Sequence, residues 1–240
     1  MKHAGKGGRL SLSDAIRQRQ AQGIFPVISE IKVRSEKQGD LLCGRDPVHL
    51  AREMAQCPVA GISVVTEPEH FGGNMGILKA VAAAVHIPVL HKDFITTRRQ
   101  IEESASYGAS AVLLITAMLE KDSMIGLIEA AAHHGLESLV EVHSLAELER
   151  VSNLPFDLLG INNRDITIFE VDDDDVSRTE ELAGFCPGRL LISESSISSM
   201  DDVRRAGLSG AGAVLVGTSI LQAQGMSGFI TALTRAGWPP

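Results

Sequence analysis

Eight short apolar segments alternate with longer amphipathic segments along this chain, and this alternation restricts the possible folds more than any other feature. The apolar segments are Phe25–Lys32, Gly61–Thr66, Ile87–Lys92, Ala111–Thr116, Ser138–His143, Phe156–Asn162, Leu190–Ser195 and Ala213–Thr218. Helical periodicity lies between them, for example over Val48–Gln56, Arg98–Tyr107 and Leu145–Val151. Short segments that are apolar on both faces and joined by crossover helices indicate parallel strands buried on both sides.

Repeated right-handed βα units form either an open, doubly wound sheet or a closed barrel. Eight strands is the barrel number, and a length of 240 residues is typical of such a barrel. No shift in composition divides the chain, so we predict one α/β domain over residues 1–240, a single (β/α)8 TIM barrel. Its expected parts are a short extension over 1–23 with one helix at Ser13–Gln20, strands from about 25 to 218, and a C-terminal helix over 219–236.

The charge balance is acidic, with 22 Lys+Arg against 30 Asp+Glu and a formal net charge of −8. Binding to nucleic acid or to anionic membranes needs a basic excess, so we predict neither partner. No apolar segment reaches the roughly 18 residues of a membrane span, and no apolar core of a signal peptide follows Met1–Arg9. Widely spaced Cys43, Cys57 and Cys186 favour a reduced, cytoplasmic protein without disulfides or a metal site.

Ionisable side chains stand at the ends of the odd-numbered apolar segments. The first segment ends with Glu30 and Lys32, the third with Lys92, the fifth carries Glu141 and the seventh carries Glu194. Alternate residues of a strand share a face, and the carboxyl ends of barrel strands carry the active site. A single ionisable residue at the end of a strand is usually a solvated residue at the rim of the barrel. Because alternate strands supply the same layer of a barrel, ionisable side chains at the ends of these four strands predict a site where acids and ammonium groups converge.

The sixth, seventh and eighth segments add groups suited to anions. G-I-N-N-R-D places Asn162 and Arg164 in one register, and a guanidinium fits a carboxylate, whether of a ligand or of a neighbouring acid. S-E-S-S-I and V-G-T-S-I place small residues just before helices. Such residues serve as helix N-caps, but after the last two strands of a barrel they commonly bind phosphate. We predict a phosphate site at Ser196, Gly217 and Thr218.

Eight motifs, taken in order, resemble the indole-3-glycerol-phosphate synthase family of tryptophan biosynthesis. They read S-E-I-K-V-R-S, S-V-V-T-E-P-E-H-F-G-G, P-V-L-H-K-D-F-I, A-V-L-L-I, L-V-E-V-H, G-I-N-N-R-D, S-E-S-S-I and V-L-V-G-T-S. The resemblance runs from about Ser11 to the final helix. It implies a carboxy-lyase that closes the indole ring of 1-(2-carboxyphenylamino)-1-deoxyribulose 5-phosphate, with loss of carbon dioxide and water. It also implies a small phosphorylated substrate, no cofactor, and a monomer or weak homodimer.

The resemblance assigns roles to individual residues. It makes Lys92 the general acid at the substrate ketone, and Glu141 its partner in proton removal and dehydration. It places Lys32 near the substrate carboxylate, with a further role at the phosphate or in dehydration, while Glu30 and Asn162 orient the lysines and the sugar hydroxyls. The residues expected to bind substrate are Arg164, Ser35, Phe71, Phe94, Glu194 and Ser195.

Three departures from the family pattern leave alternatives open. The N-terminal part that usually helps to cover the substrate is short. The usual S-P-S-K-G loop reads Ser35-Glu36-Lys37-Gln38-Gly39, and Ser196 replaces a glycine whose backbone is expected to contact phosphate with positive φ. One alternative is therefore a paralogue that binds a phosphorylated ligand with little or no turnover. The other is a different phosphate-binding barrel enzyme, such as a sugar-phosphate isomerase.

Overall fold

The computed structural model describes residues 10–164 and 175–240. Within these residues, eight parallel strands form a closed barrel in which the first strand pairs with the last. The barrel strands are β1 (Val27–Ile31), β4 (Gly61–Val65), β5 (Val89–Lys92), β6 (Ala111–Ile115), β7 (Glu137–Val142), β8 (Leu158–Asn162), β9 (Leu191–Glu194) and β10 (Ala213–Val216). A short antiparallel hairpin, β2 (Arg34–Ser35) with β3 (Gly39–Asp40), follows β1. The predicted fold class is confirmed, and each predicted strand is present; the hairpin was not predicted.

Helices alternate with the barrel strands. In the described ranges they are α1 (Leu12–Ala21), α2 (Pro47–Ala55), α3 (Met75–Ala84), α4 (Arg98–Ser106), α5 (Lys121–His133), α6 (Leu145–Val151), α7 (Ser177–Leu182), α8 (Met200–Leu208), α9 (Thr218–Gln222) and α10 (Met226–Thr234). The side chains of Asn74, Thr97, Ser144 and Ser199 accept an amide of the first helical turn and so define where α3, α4, α6 and α8 begin. None of the described helices has the length and hydropathy that a bilayer-spanning helix needs.

The C-terminal segment differs from its prediction. Residues 219–236 were expected as one helix, but they belong to α9 and α10. Ala223 ends α9 with an extended backbone at ψ 135°, and Gly225 begins α10 at φ −139°, ψ 84°. The two residues break the helix because an extended backbone cannot continue the i to i−4 hydrogen bonds.

Helix α1 closes the amino-terminal end of the barrel. Its Leu12 and Ile16 are fully buried and belong to the apolar cluster inside the barrel, together with residues of several strands. Glu137, at the start of β7, accepts hydrogen bonds from Leu12 N (2.5 Å) and Ser13 Oγ (2.5 Å), where the helix dipole favours a carboxylate. The predicted helix is confirmed, but it packs at the end of the barrel opposite the carboxyl ends of the strands.

Candidate active site

A cavity of about 600 Å³ opens at the carboxyl ends of the barrel strands. Its charged wall includes the five ionisable groups Glu30, Lys32, Lys92, Glu141 and Arg164. Each lies at or just after the end of its strand, on the inward register. The predicted convergence of charged side chains is thus confirmed. It follows from the two-residue period of a strand, which sends every second side chain into the barrel.

Lys92 stands between two buried glutamates. Its Nζ lies 3.8 Å from Glu141 Oε2 and 3.9 Å from Glu194 Oε2. Each glutamate is only 1% exposed, and none of the four carboxylate oxygens has a hydrogen-bond partner among the described residues. Glu194 lies beneath the cavity surface rather than in its lining. The three groups form the charged centre of the site.

The charges of this centre set one another's protonation. Burial alone would lower the pKa of Lys92, but the carboxylates of Glu141, Glu30 and Glu194 raise it well above its usual value. Burial would raise the pKa of Glu141, yet Lys92 lowers it to about 2. Burial and the negative charge of Glu141 raise the pKa of Glu194 far above its ordinary value. At neutral pH, Lys92 is a cation and Glu141 is ionised, while the raised pKa of Glu194 favours its protonated form, so an acid and a base coexist.

Two glycines provide the space for two of these glutamates. A Cβ on Gly160 would collide with Glu194 Oε1, and Gly160 pairs in register with Glu141 on the neighbouring strand. A Cβ on Gly217 would lie 2.7 Å from Glu30 Oε1 and 3.1 Å from its Cβ. Any larger residue at these two positions therefore displaces a carboxylate of the site.

Lys32 is held between an acid and an aromatic ring. Its Nζ lies 3.8 Å from Glu30 Oε1 and 5.6 Å from the centre of the Phe71 ring, a cation–π distance. Ser63 Oγ donates a hydrogen bond of 3.1 Å to Glu30 Oε2, which fixes the carboxylate that faces the ammonium group. The Glu30 carboxylate is thus held in contact with the Lys32 ammonium group.

An aromatic group forms the wall that Lys32 faces. The His70 ring lies 6.3 Å from Phe71 and 6.2 Å from Phe94, between centroids. Glu67 holds this loop, because its carboxylate accepts hydrogen bonds from the backbone N–H groups of Glu69 (2.8 Å), His70 (2.7 Å) and Phe71 (3.0 Å). Burial opposes the charge of Glu67, but these donors lower its pKa. Glu67 was not predicted as a site residue, although it stands in the T-E-P-E-H motif.

Ser35 was expected to contact the substrate, but other residues of the β2–β3 hairpin line the cavity. Ser35 is buried, and its Oγ accepts a hydrogen bond from Gln38 N at 3.1 Å, so it stabilises the turn. Glu36, Lys37 and Gln38 line the cavity, whereas Ser35 does not. Gln222 on α9 donates to Gln38 Oε1 at 3.0 Å. The hairpin tip therefore reaches across the cavity to α9 instead of presenting Ser35 to it.

The predicted phosphate residues lie together. Ser196, Gly217 and Thr218 all line the cavity, as does the predicted substrate-binding residue Ser195, in the loops that follow β9 and β10. Asn163 Nδ2 anchors the first loop by donating to the backbone carbonyls of Glu194 (2.9 Å) and Ser195 (3.1 Å). Asn163, which is buried next to Asn162, was not predicted as a site residue.

Ser196 occupies a backbone conformation that suits glycine, with φ 56°. We expect Ser196→Gly to raise the free energy of unfolding by about 0.5–1 kcal/mol, since relief of left-handed strain (about 1–2 kcal/mol) exceeds the added unfolded-state entropy (about 0.4–1 kcal/mol). Urea denaturation measures this change as a higher midpoint at unchanged slope. Ser198→Gly in the same loop, where φ is not positive, is the control and should lose stability. A loss of stability in Ser196→Gly would contradict the assignment of strain.

Comparisons with known proteins agree over nearly the whole chain. The sequence profile of the family described as "Indole-3-glycerol phosphate synthase" matches residues 5–233. The indole-3-glycerol phosphate synthase of Pyrococcus furiosus is 45% identical over 214 residues, which cover 89% of this chain and 92% of that relative. Those of Pyrococcus abyssi and Thermococcus kodakarensis are 44% identical (83% of this chain, 86% of the relative) and 42% identical (93% and 97%).

Proposed function

Because this chain belongs to the indole-3-glycerol phosphate synthase family, it is a carboxy-lyase of tryptophan biosynthesis, and we propose that Lys92 and Glu141 are its acid–base pair. The substrate is a small phosphorylated molecule, 1-(2-carboxyphenylamino)-1-deoxyribulose 5-phosphate. The products are indole-3-glycerol phosphate, carbon dioxide and water. The observation that carries the assignment is the half-buried Lys92 ammonium group 3.8 Å from the buried, ionised Glu141 carboxylate.

Ring closure joins the substrate's two halves. The ring carbon that bears the carboxylate attacks the ketone carbon, and the ketone oxygen takes a proton from Lys92 Nζ as the new C–C bond forms. The carboxylate then leaves as carbon dioxide, and the electrons of its bond restore the aromatic ring. Protonation of a developing alkoxide by a positioned acid contributes roughly 10²–10⁴-fold to such a step.

Dehydration completes the indole. The hydroxyl leaves as water after taking a second proton, which Lys32 supplies, and Glu141 accepts a proton from the neighbouring CH₂ carbon. Two protons are given and one is taken, and the difference is the proton that is consumed when a carboxylate departs as carbon dioxide. The 3.8 Å between Lys92 Nζ and Glu141 Oε2 lets Glu141 return its proton to Lys92 for the next cycle.

The other site residues bind and orient the substrate. Lys32 and Arg164 face its carboxylate, with Glu30 and Asn162 holding the lysines and the sugar hydroxyls. The aromatic ring of the substrate lies against Phe71 in the cavity lining. The remaining substrate-binding roles are assigned to Phe94 and Ser195 in the cavity lining, to Glu194 beneath it, and to Ser35 through the turn that it stabilises. The phosphate is assigned to Ser196, Gly217 and Thr218.

We assign the protein to the cytoplasm as a monomer or weak homodimer. Cys43, Cys57 and Cys186 are free thiols, which fits a reducing compartment. The formal net charge of −8 disfavours tight self-association because like charges repel.

The activity is tested directly by incubating the purified protein with the anilino-deoxyribulose phosphate and following indole fluorescence. We expect a fluorescent product whose formation depends on enzyme concentration, at a rate at least about a hundredfold lower with the Lys92→Ala variant. Binding of the substrate without product would instead identify the chain as a binding paralogue. Failure to bind it at all would favour a different sugar-phosphate enzyme.

A further inference from the structure

An imidazole ring connects the catalytic glutamate to a second carboxylate behind the site. His143 follows Glu141 by two residues, just after β7 ends at Val142, and it is 6% exposed. Its Nε2 lies 3.2 Å from Glu141 Oε1, and its Nδ1 lies 3.2 Å from Glu147 Oε2. Of the residues that the structure describes, His143 is not among those that line the cavity. It therefore acts on the substrate only through Glu141.

The outer carboxylate is firmly placed. Glu147 lies in the first turn of α6, where its backbone N–H donates to Ser144 Oγ at 3.3 Å. Its Oε2 also accepts the backbone N–H of His143 at 2.8 Å, and Arg178 Nη1 donates to the His143 carbonyl at 2.7 Å. These contacts fix the imidazole between two carboxylates, which stabilise its cationic form. They raise the pKa of His143 to about 9, against the effect of burial.

The distances to Lys92 do not by themselves distinguish the two buried glutamates. Lys92 Nζ lies 3.8 Å from Glu141 and 3.9 Å from Glu194, and both side chains are equally buried. Two carboxylates beside one ammonium group cannot both ionise cheaply in a buried site, because like charges repel strongly there. A second cation beside one of the two carboxylates favours the ionised form of that carboxylate. Among the described residues, His143 makes its close contact with Glu141 and makes none with Glu194.

We propose that His143 is a positioning residue that makes Glu141, rather than Glu194, the ionised carboxylate of the site. This inference deepens the proposed function and rests on the role assigned there to Glu141. Lys92 faces Glu141 Oε2, and His143 faces Glu141 Oε1. When Lys92 gives its proton to the substrate, His143 remains as the counter-ion that keeps Glu141 a base. The titratable and charged groups around Glu141, His143 and Glu147 are Lys92, Glu194, Arg150 and Arg178, and Glu30 and Arg164 act on Lys92.

The test is the pH profile of His143→Gln, which removes the cation and keeps a polar side chain of similar size. We expect kcat to fall about 10- to 100-fold, as for other residues that orient a reacting group, with KM changed less than about twofold. The acidic limb of the kcat profile should move to higher pH, because Glu141 then takes up a proton more readily. A uniform loss at every pH, or an unchanged profile, would overturn the proposal.

Glu147→Gln and His91→Gln complete the design. Glu147→Gln keeps His143 but removes its outer carboxylate, so the alkaline limb should move to lower pH while kcat near pH 7 stays close to that of the unmodified enzyme. His91 is a buried histidine bonded to the hydroxyls of Ser104 and Thr66, and His91→Gln should move neither limb. If Glu147→Gln leaves the alkaline limb in place, His143 does not carry the charge that the proposal requires.

A carboxyl titration of the free enzyme separates this proposal from the proposed function. In ¹³C NMR, the titration midpoint of Glu141 should rise in His143→Gln relative to the unmodified protein, whether or not the enzyme turns over. An unchanged midpoint sinks the role of His143 even if indole forms. If the unmodified protein forms no indole but the midpoint shifts as expected, the proposed function is contradicted and the role of His143 is retained.

Discussion

Replacing Lys92 with alanine is expected to lower kcat by at least about a hundredfold, because the ketone oxygen then forms as an alkoxide without a proton donor. The barrel should remain folded, since the buried glutamates that lose their counter-ion take up protons instead of staying charged. Kinetics by indole fluorescence, with circular dichroism to confirm folding, measure both effects.

The control for Lys92→Ala is Lys79→Ala. Lys79 is an exposed lysine on α3 that lies over the ring of Tyr107, away from the cavity lining, and its loss should leave kcat unchanged. Full activity in a folded Lys92→Ala variant would show that Lys92 is not the general acid.

Glu141→Gln is expected to reduce kcat by at least about a hundredfold with little change in KM. The amide matches the carboxylate in shape but cannot accept the proton that dehydration releases. Because Glu141 has a pKa of about 2 in the folded protein, the unmodified enzyme keeps this base ionised throughout the neutral range. Rates measured from pH 5 to pH 9 should therefore be low at every pH in the variant.

Glu194→Gln provides the matched comparison. Glu194 is equally buried and nearly as close to Lys92, but burial and Glu141 raise its pKa, which favours the protonated form. Glutamine resembles a protonated glutamate, so this variant should lose far less activity than Glu141→Gln. Equal losses in the two variants would show that the ionised base is not Glu141 alone.

Much of the site was predictable because strand geometry is local. Glu30 and Lys32 are two residues apart and therefore share one face of a strand. Lys92 and Glu141 stand at or near the ends of apolar segments whose pattern indicates strands buried on both faces. The loop residues were harder to predict. Ser35 stabilises a turn instead of lining the cavity, because its hydroxyl is satisfied by an amide three residues further on. That contact depends on the backbone path of a hairpin that the sequence pattern did not predict.

Contacts across the barrel account for the other differences. The helix before β1 was predicted, but its packing against Glu137 and the barrel interior joins residues more than a hundred positions apart. Gly160 was not singled out, because its importance lies in the space it leaves for Glu194 on the next strand. The S-L-A-E sequence is typical of a helix N-terminus at which Glu147 takes part in capping. The contact between Glu147 and the His143 ring cannot be predicted from that pattern.

The sequence by itself determined the barrel, the strand ends and which ionisable side chains point inward, because the strand period of two and the alternation of strand with helix are properties of neighbouring residues. Only the tertiary structure decided that the pKa of Glu141 is lowered while that of Glu194 is raised. Glu141 and Glu194 stand on different strands at nearly equal distances from Lys92, and the pKa of each depends on burial and on charges a few ångströms away in space. Those distances exist only once the barrel has closed.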